Sequence, residues 1–204
     1  METVPAPTTT LLPPPPASDL YRFDIDEFER ISAFLRADRV ELIDGFIVER
    51  DVMEPPHVLA SEILRRLLEQ LNLTGWFVRE DKPLRVHGGY EPLPDLAIVR
   101  GMPATYAMRH PNTADVAIVI EIADFTLLKD RGEKSINYAR GGVAFYWIVN
   151  LADRQIEVYT DPSPDGFSAS EIFTVGDWVP VVVDGITIGI VPVFDVVAGP
   201  RISP

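Results

Sequence analysis

The chain contains no cysteine in its 204 residues. Disulfides and thiolate metal sites are therefore excluded. Lysine is nearly as scarce, with only Lys82, Lys129 and Lys134 present. Lys and Arg total 18 against 31 Asp and Glu, a formal net charge of -13. Phosphate binding relies on Lys and Arg, so this balance repels nucleic acid at long range. A nucleic-acid function would need a local basic groove or bound metal ions. No apolar run is long enough to span a bilayer, and the first residues lack the basic and apolar regions of a signal peptide. A cytoplasmic protein with no membrane partner is expected. A phosphate-binding glycine loop, an HExxH helix and a GxSxG elbow are all missing.

What is present suits one globular domain. The apolar fraction of 47% is ample for a core. Residues 1–18 are rich in Pro and Thr and read as a disordered arm, leaving residues 19–204 as a single domain. Asp24 and Glu27 make a capping box before an apolar stripe of Phe28, Ile31 and Leu35. VELIDGFIVE, Val40 to Glu49, reads as a hairpin about Asp44-Gly45. Pro56 and His57 open a helix whose apolar face runs from Ala60 to Leu71. Trp76 to Val86 is strand-like, with Pro83 at a bulge or edge. Leu93 to Val99 reads as a buried strand, and residues 100 to 114 as a loop. Late in the chain come strand-like segments 155–160, 170–174, 179–183 and 186–190, with a loop from Asp161 to Gly166. Their apolar edges need covering, which predicts a homodimer.

The centre of the chain is Asp115 to Asn150. Val116 to Ile120 is a near-unbroken β-branched run ending at Glu121. A helix follows from Asp130 to Arg140, then Gly141-Gly142, then a second apolar run from Ala144. Strand, helix, strand implies a parallel pair with a crossover. Asp95 opens one buried strand and Glu121 closes another. If those strands are antiparallel neighbours, the two carboxylates converge at one rim. Convergent carboxylates suit the all-oxygen shell of magnesium or manganese.

On the following helix Arg131, Lys134 and Tyr138 share one face, opposite an expected core stripe of Ile136, Ala139 and Val143. Lys134 can lean toward the carboxylates, or simply pair with Asp130 at the surface, worth about 0.3–0.5 kcal/mol. Lys129 is placed outside the site. His57 has two readings, a polar residue at a helix start and a contributor at the rim, where Glu62 or Glu80 could join it. His87 and His110 sit in loops with no assigned partner. Tyr146-Trp147 reads as core packing.

At these residues the sequence resembles the Uma-two family of restriction-endonuclease-like proteins, within the PD-(D/E)XK nuclease superfamily. The likeness covers roughly residues 20 to 198. It rests on VELIDGFIVE, PHVLASEILRRLLEQL, LPDLAIV, VIEIAD and, most specifically, DRGEKSINYARGGVAFYWIVNL. The resemblance implies an α/β fold with a restriction-endonuclease-like core, a central mixed β-sheet flanked by helices. It implies an endonuclease that hydrolyses phosphodiester bonds, with DNA as the expected partner and Mg2+ or Mn2+ as cofactor. Asp95 and Glu121 take the metal-ligand positions and Lys134 the catalytic lysine position. The superfamily pattern would place that lysine two residues after the glutamate, where Ala123 stands. The family also usually has an acid where this chain has Phe145. The flanking hairpins are expected to extend the sheet. The rival expectation, favoured by the net charge, is a non-catalytic module that keeps the nuclease fold and binds protein.

Overall fold

The computed structural model describes residues 19–35 and 39–197. The arm expected over residues 1–18 lies outside the described residues. The first element is helix α1, Ile25–Ser32, and the capping box that predicts it is formed. Glu27 N–H donates to Asp24 Oδ1 at 2.7 Å, and Asp24 N–H donates to Glu27 Oε2 at 3.1 Å. The hairpin follows as β1, Val40–Ile43, and β2, Phe46–Glu49. Its turn places Asp44 at φ 49° and Gly45 at φ 81°, the twist that two-residue hairpins favour. A side chain at Gly45 would also meet Arg22, with Cβ only 2.7 Å from Cβ.

Next come α2, Pro55–Glu69, β3, Trp76–Glu80, and β4, Leu96–Arg100. β5, Val116–Ala123, is buried along its whole length. The crossover that follows has three parts: a short turn of helix α3, Leu127–Lys129, a π-helical turn, Asp130–Lys134, and α4, Ser135–Arg140. The chain continues as β6, Phe145–Asn150, β7, Gln155–Ser163, β8, Gly166–Thr174, β9, Trp178–Val183, and β10, Ile186–Pro192. A short helix not expected from the sequence, α5, Val193–Val197, closes the described chain.

Six strands form one mixed sheet in the order β3-β4-β5-β6-β7-β8. β5 and β6 are parallel, as the strand–helix–strand reading required, and every other pair is antiparallel. One face carries Leu96, Ile98, Ile118, Ile120 and Trp147 against Leu64 and Leu68 of α2. The other carries Ala97, Val99, Val119, Tyr146 and Ile148 against Tyr138 of α4.

The flanking hairpins do not extend this sheet. β1–β2 and β9–β10 are separate two-stranded sheets. Val179, Val181 and Val191 of the late hairpin pack into the α2-side core instead, because their apolar face is better buried against another layer than beside an edge strand. β7 and β8 supply the extension. They run on through most of the expected loop, so only Pro164 and Asp165 separate them. β3 ends at Glu80, short of Pro83, since proline cannot donate to the ladder.

Candidate active site

Side chains alternate across a strand, and that alternation builds the site. Val119, Glu121 and Ala123 share the α4 face of β5, and Asp95 falls on the same face as Ala97 and Val99. Leu96 pairs with Ile120, so the register carried one step further sets Asp95 across from Glu121. Glu121 lies within β5 rather than at its end, with two residues of strand beyond it. Both carboxylates are almost fully buried.

Each is held by several donors. Asp95 Oδ1 accepts from Arg50 Nη2 at 2.7 Å. Its Oδ2 accepts from the Ile122 N–H at 2.7 Å and lies 3.0 Å from His57 Nε2. Glu121 Oε1 accepts from Tyr138 Oη at 2.6 Å, and Oε2 stands 2.9 Å from Lys134 Nζ. Lys134 also reaches Asp130 Oδ1 at 3.4 Å. Asp95, Glu121, Lys134 and His57 all line one cleft of about 490 Å³, together with Glu41 and Arg50.

The electrostatics are those of an anionic pocket with too few cations. Burial pushes the Glu121 carboxyl up to about 8, and Asp95 and Asp130 add to the rise while Lys134 opposes it. Burial acts on Asp95 in the same sense. There the His57 hydrogen bond and the charges of Lys134 and Arg50 prevail, holding its carboxyl below the usual range. Burial would lower Lys134, but Glu121 and Asp130 keep its ammonium well above the ordinary value. His57 is likewise raised by Asp95 against burial. The oxygens of Asp95 and Glu121 are the donors that could hold a hard divalent cation, and they fit one. An oxygen donor set suits such an ion, and its charge would relieve the burial that raises Glu121.

The π-helical turn explains how Lys134 arrives. It inserts a residue into the helical repeat just where Arg131 and Lys134 turn onto the sheet. The expected helix faces hold in part, since Ala139 and Val143 are buried as the core stripe required. Ile136, assigned to the core stripe, is 39% exposed, whereas Lys134 and Tyr138 are buried against the sheet. Hydrophobic periodicity misleads at Ile136, Lys134 and Tyr138, because the buried carboxylates below attract a cationic and hydroxyl-bearing face. The pair of Lys134 with Asp130 exists, but it is buried rather than superficial.

Other expectations fare differently. Lys129, placed outside the site, lines the cleft. Glu62 pairs with Arg66, and Glu80 with Arg65 and Ser61, so neither joins the cleft lining. Tyr146 and Trp147 are fully buried core residues. His87 Nε2 lies 2.9 Å from Asn137 Oδ1. Sequence reasoning missed Arg50 and Glu41, and read Asp130 only as a surface partner of Lys134. The signal available for Arg50 was its place directly after the hairpin, where a charged residue ends an apolar strand.

The sequence matches the family described as "Putative restriction endonuclease", Uma2, over residues 25–191, well over half of the chain. The chain belongs to the Uma2 family. No curated protein matches it. Among solved structures it is similar to one described as "a putative nuclease belonging to DUF820 from Anabaena variabilis ATCC 29413". The TM-score is 0.65 at 14% identity, covering 86% of this chain and 98% of that one. At that identity the likeness bears on the fold, which is the restriction-endonuclease-like architecture expected.

Two local features of this Uma2 chain follow from packing. Ala123 is fully buried at the end of β5, and the ammonium near Glu121 comes instead from the π-helical turn. Phe145, where the resemblance implies an acid, packs against the α2-side core.

The same turn makes a second ionic contact. Arg131 donates to Glu157 Oε1 and Oε2 at 2.6 and 2.9 Å. Burial would raise the Glu157 carboxyl, but Arg131, Asn150, Gln155 and Tyr159 hold it at about 2. A folded value below the unfolded one, about 4.3, means this stabilisation is complete above that pH and lost as pH falls toward 2. Arg131 is more than a third exposed, so solvent screening reduces the effect to about 1–2 kcal/mol. Glu157→Gln should flatten the loss of stability between pH 5 and 2 by that amount, measured by urea unfolding across the range.

Proposed function

We propose that this protein is a divalent-metal-dependent nuclease that hydrolyses phosphodiester bonds in nucleic acid, with DNA as its substrate. The observation that carries the reading is the convergence of Asp95, Glu121 and Lys134 in one cleft on one face of the sheet. Membership of the Uma2 family supports it. Asp95 and Glu121 would hold Mg2+ or Mn2+. When bound, such an ion polarises the scissile phosphate and lowers the pKa of water.

The protein's own groups have distinct tasks. Arg50, His57 and the Ile122 N–H fix the orientation of Asp95. Tyr138 fixes that of Glu121. Lys134 supplies a fixed, buried positive charge, where it can hold the attacking water and stabilise charge growing on the phosphate. His57 works through Asp95 and is a positioning residue. The test is cleavage of supercoiled and linear DNA, and of RNA, by the full chain with Mg2+ or Mn2+. Cleavage that stops with chelator and in Asp95→Asn is expected. Equal cleavage in that variant would overturn the assignment.

One observation favours the non-catalytic alternative. The cleft lining also carries Asp51, Glu54 and Asp124, with exposed Val52, Phe125 and Leu128. An acidic and apolar mouth suits a protein partner better than a polyanion. A manganese titration separates the two readings, since only the nuclease requires the ion. We extend the proposal to a homodimer, for which light scattering at micromolar concentration should give twice the chain mass. A monomer would end that part of it.

A further inference from the structure

Away from the cleft, three side chains from distant parts of the chain meet. Glu29 lies on α1. Glu91 precedes β4 and exchanges both backbone hydrogen bonds with Leu42 of β1, at 3.1 and 2.8 Å. His110 lies in the loop between β4 and β5. Their ligand atoms all lie within 4.8 Å of one another, and among the described residues no other group of three His, Asp or Glu side chains converges this closely. The surroundings are ionic as well. Arg85 Nε stands 3.3 Å from Glu29 Oε1, Arg85 also pairs with Asp26, and Arg79 Nη2 lies 3.4 Å from His110 Nδ1. Asp26, Glu29 and Glu91 still outnumber the two guanidiniums.

The second observation is independent of the clustering. Glu91 is only 1% exposed, and its Oε2 is buried with no hydrogen-bond partner. A buried carboxylate oxygen without a donor is costly. The gap between it and the facing Glu29 carboxylate calls for a proton donor or a cation.

We propose that Glu29, Glu91 and His110 form a structural site for one divalent transition-metal ion, zinc above others, tying α1 and the β4–β5 loop to the segment beside β1. One imidazole nitrogen with two carboxylate oxygens is a donor set zinc accepts, whereas magnesium prefers oxygen alone. The site is thus chemically separate from the all-oxygen pair in the cleft. Burial lowers His110, so its ring is neutral at neutral pH, the form that ligates. A metal joining α1 to the domain would contribute to folding stability directly.

The test uses the full chain, stripped with chelator and titrated with zinc in excess magnesium, the ion the all-oxygen cleft would prefer. Bound zinc is counted by elemental analysis and its effect read from thermal melting. The expected result is one zinc per chain and a midpoint raised by about 5–10 °C at zinc 100-fold above Kd. The same result is expected in an Asp95→Asn/Glu121→Gln double variant. His110→Gln and Glu29→Gln, both only partly buried, should each lower zinc affinity by roughly 100-fold or more. Glu91→Gln should do the same if it folds, and the other two decide the matter if it does not. Zinc binding that survives both of those variants would overturn the proposal. So would a wild-type chain whose melting ignores zinc, which would leave the carboxylates sharing a proton.

Discussion

Lys134→Met should lower turnover on a cleavable nucleic-acid substrate by roughly 100-fold or more. It should also destabilise the metal-free protein by about 3 kcal/mol. A surface pair with Asp130 would be worth about a tenth of that. The difference comes from burial: Lys134 is 8% exposed, 2.9 Å from Glu121 and 3.4 Å from Asp130. Removing the ammonium leaves two buried carboxylates without their shared cation, and proton uptake relieves only part of that cost. Manganese should therefore restore much of the lost stability, because a dication replaces the missing charge. It should not restore turnover, because the group that holds water and meets the phosphate charge is gone. Lys82→Met is the matched control, since Lys82 is exposed and outside the cleft lining. Chemical denaturation with and without manganese gives the stabilities, and a cleavage assay gives the rates. Wild-type turnover in Lys134→Met would remove the lysine from the mechanism. A stability loss under about 0.5 kcal/mol would contradict its buried pairing.

The sequence carried the parts of this fold that depend on local chemistry. Asp24 with Glu27 specified the start of α1, Asp44-Gly45 the first hairpin, and the β-branched run at 116–120 the buried central strand. Because strand alternation has a strict period of two, Asp95 and Glu121 could be placed at one rim once their strands were taken as antiparallel neighbours. The family resemblance then picked out Lys134. What stayed hidden depends on what a surface faces. On the helix expected over 130–140, Ala139 and Val143 are core as their apolar character required, but that preference fails at Ile136, which is exposed while Lys134 and Tyr138 are buried. A row of buried acids on the sheet, Asp95, Glu121 and Glu157, reverses that preference, and no property of the helix alone reveals it. Arg50 was missed for a related reason. A guanidinium 13% exposed between Asp81 and Asp95 is identified by its partners, which lie 31 and 45 residues away. The separate packing of β9–β10 likewise follows from a valine face that finds α2-side core, which strand propensity cannot distinguish from an added sheet edge.

Asp95→Asn and Glu121→Gln should both abolish manganese binding, yet differ in what they do to the metal-free fold. Each removes an anionic oxygen from a small donor set, so calorimetry with manganese should show no measurable binding in either. The stabilities separate because the two carboxylates are anchored differently. Asp95 serves three donors, Arg50, His57 and the Ile122 N–H, and is kept ionised by them. An amide turns an NH2 toward one of those donors and removes one of the two carboxylates paired with Arg50, which keeps Asp81, a change that costs about 2–3 kcal/mol. Glu121 is raised to about 8 by its burial, so a neutral amide is closer to its metal-free state. Tyr138 can still donate to the amide oxygen, and Lys134 keeps Asp130. Glu121→Gln should therefore cost only about 1–2 kcal/mol, the usual loss of a hydrogen bond or two. Urea unfolding in chelator measures both. The reverse order, with Glu121→Gln the costlier change, would mean that Glu121 and not Asp95 is the carboxylate the buried cations hold ionised. Unchanged manganese affinity in both variants would move the metal site away from this cleft altogether.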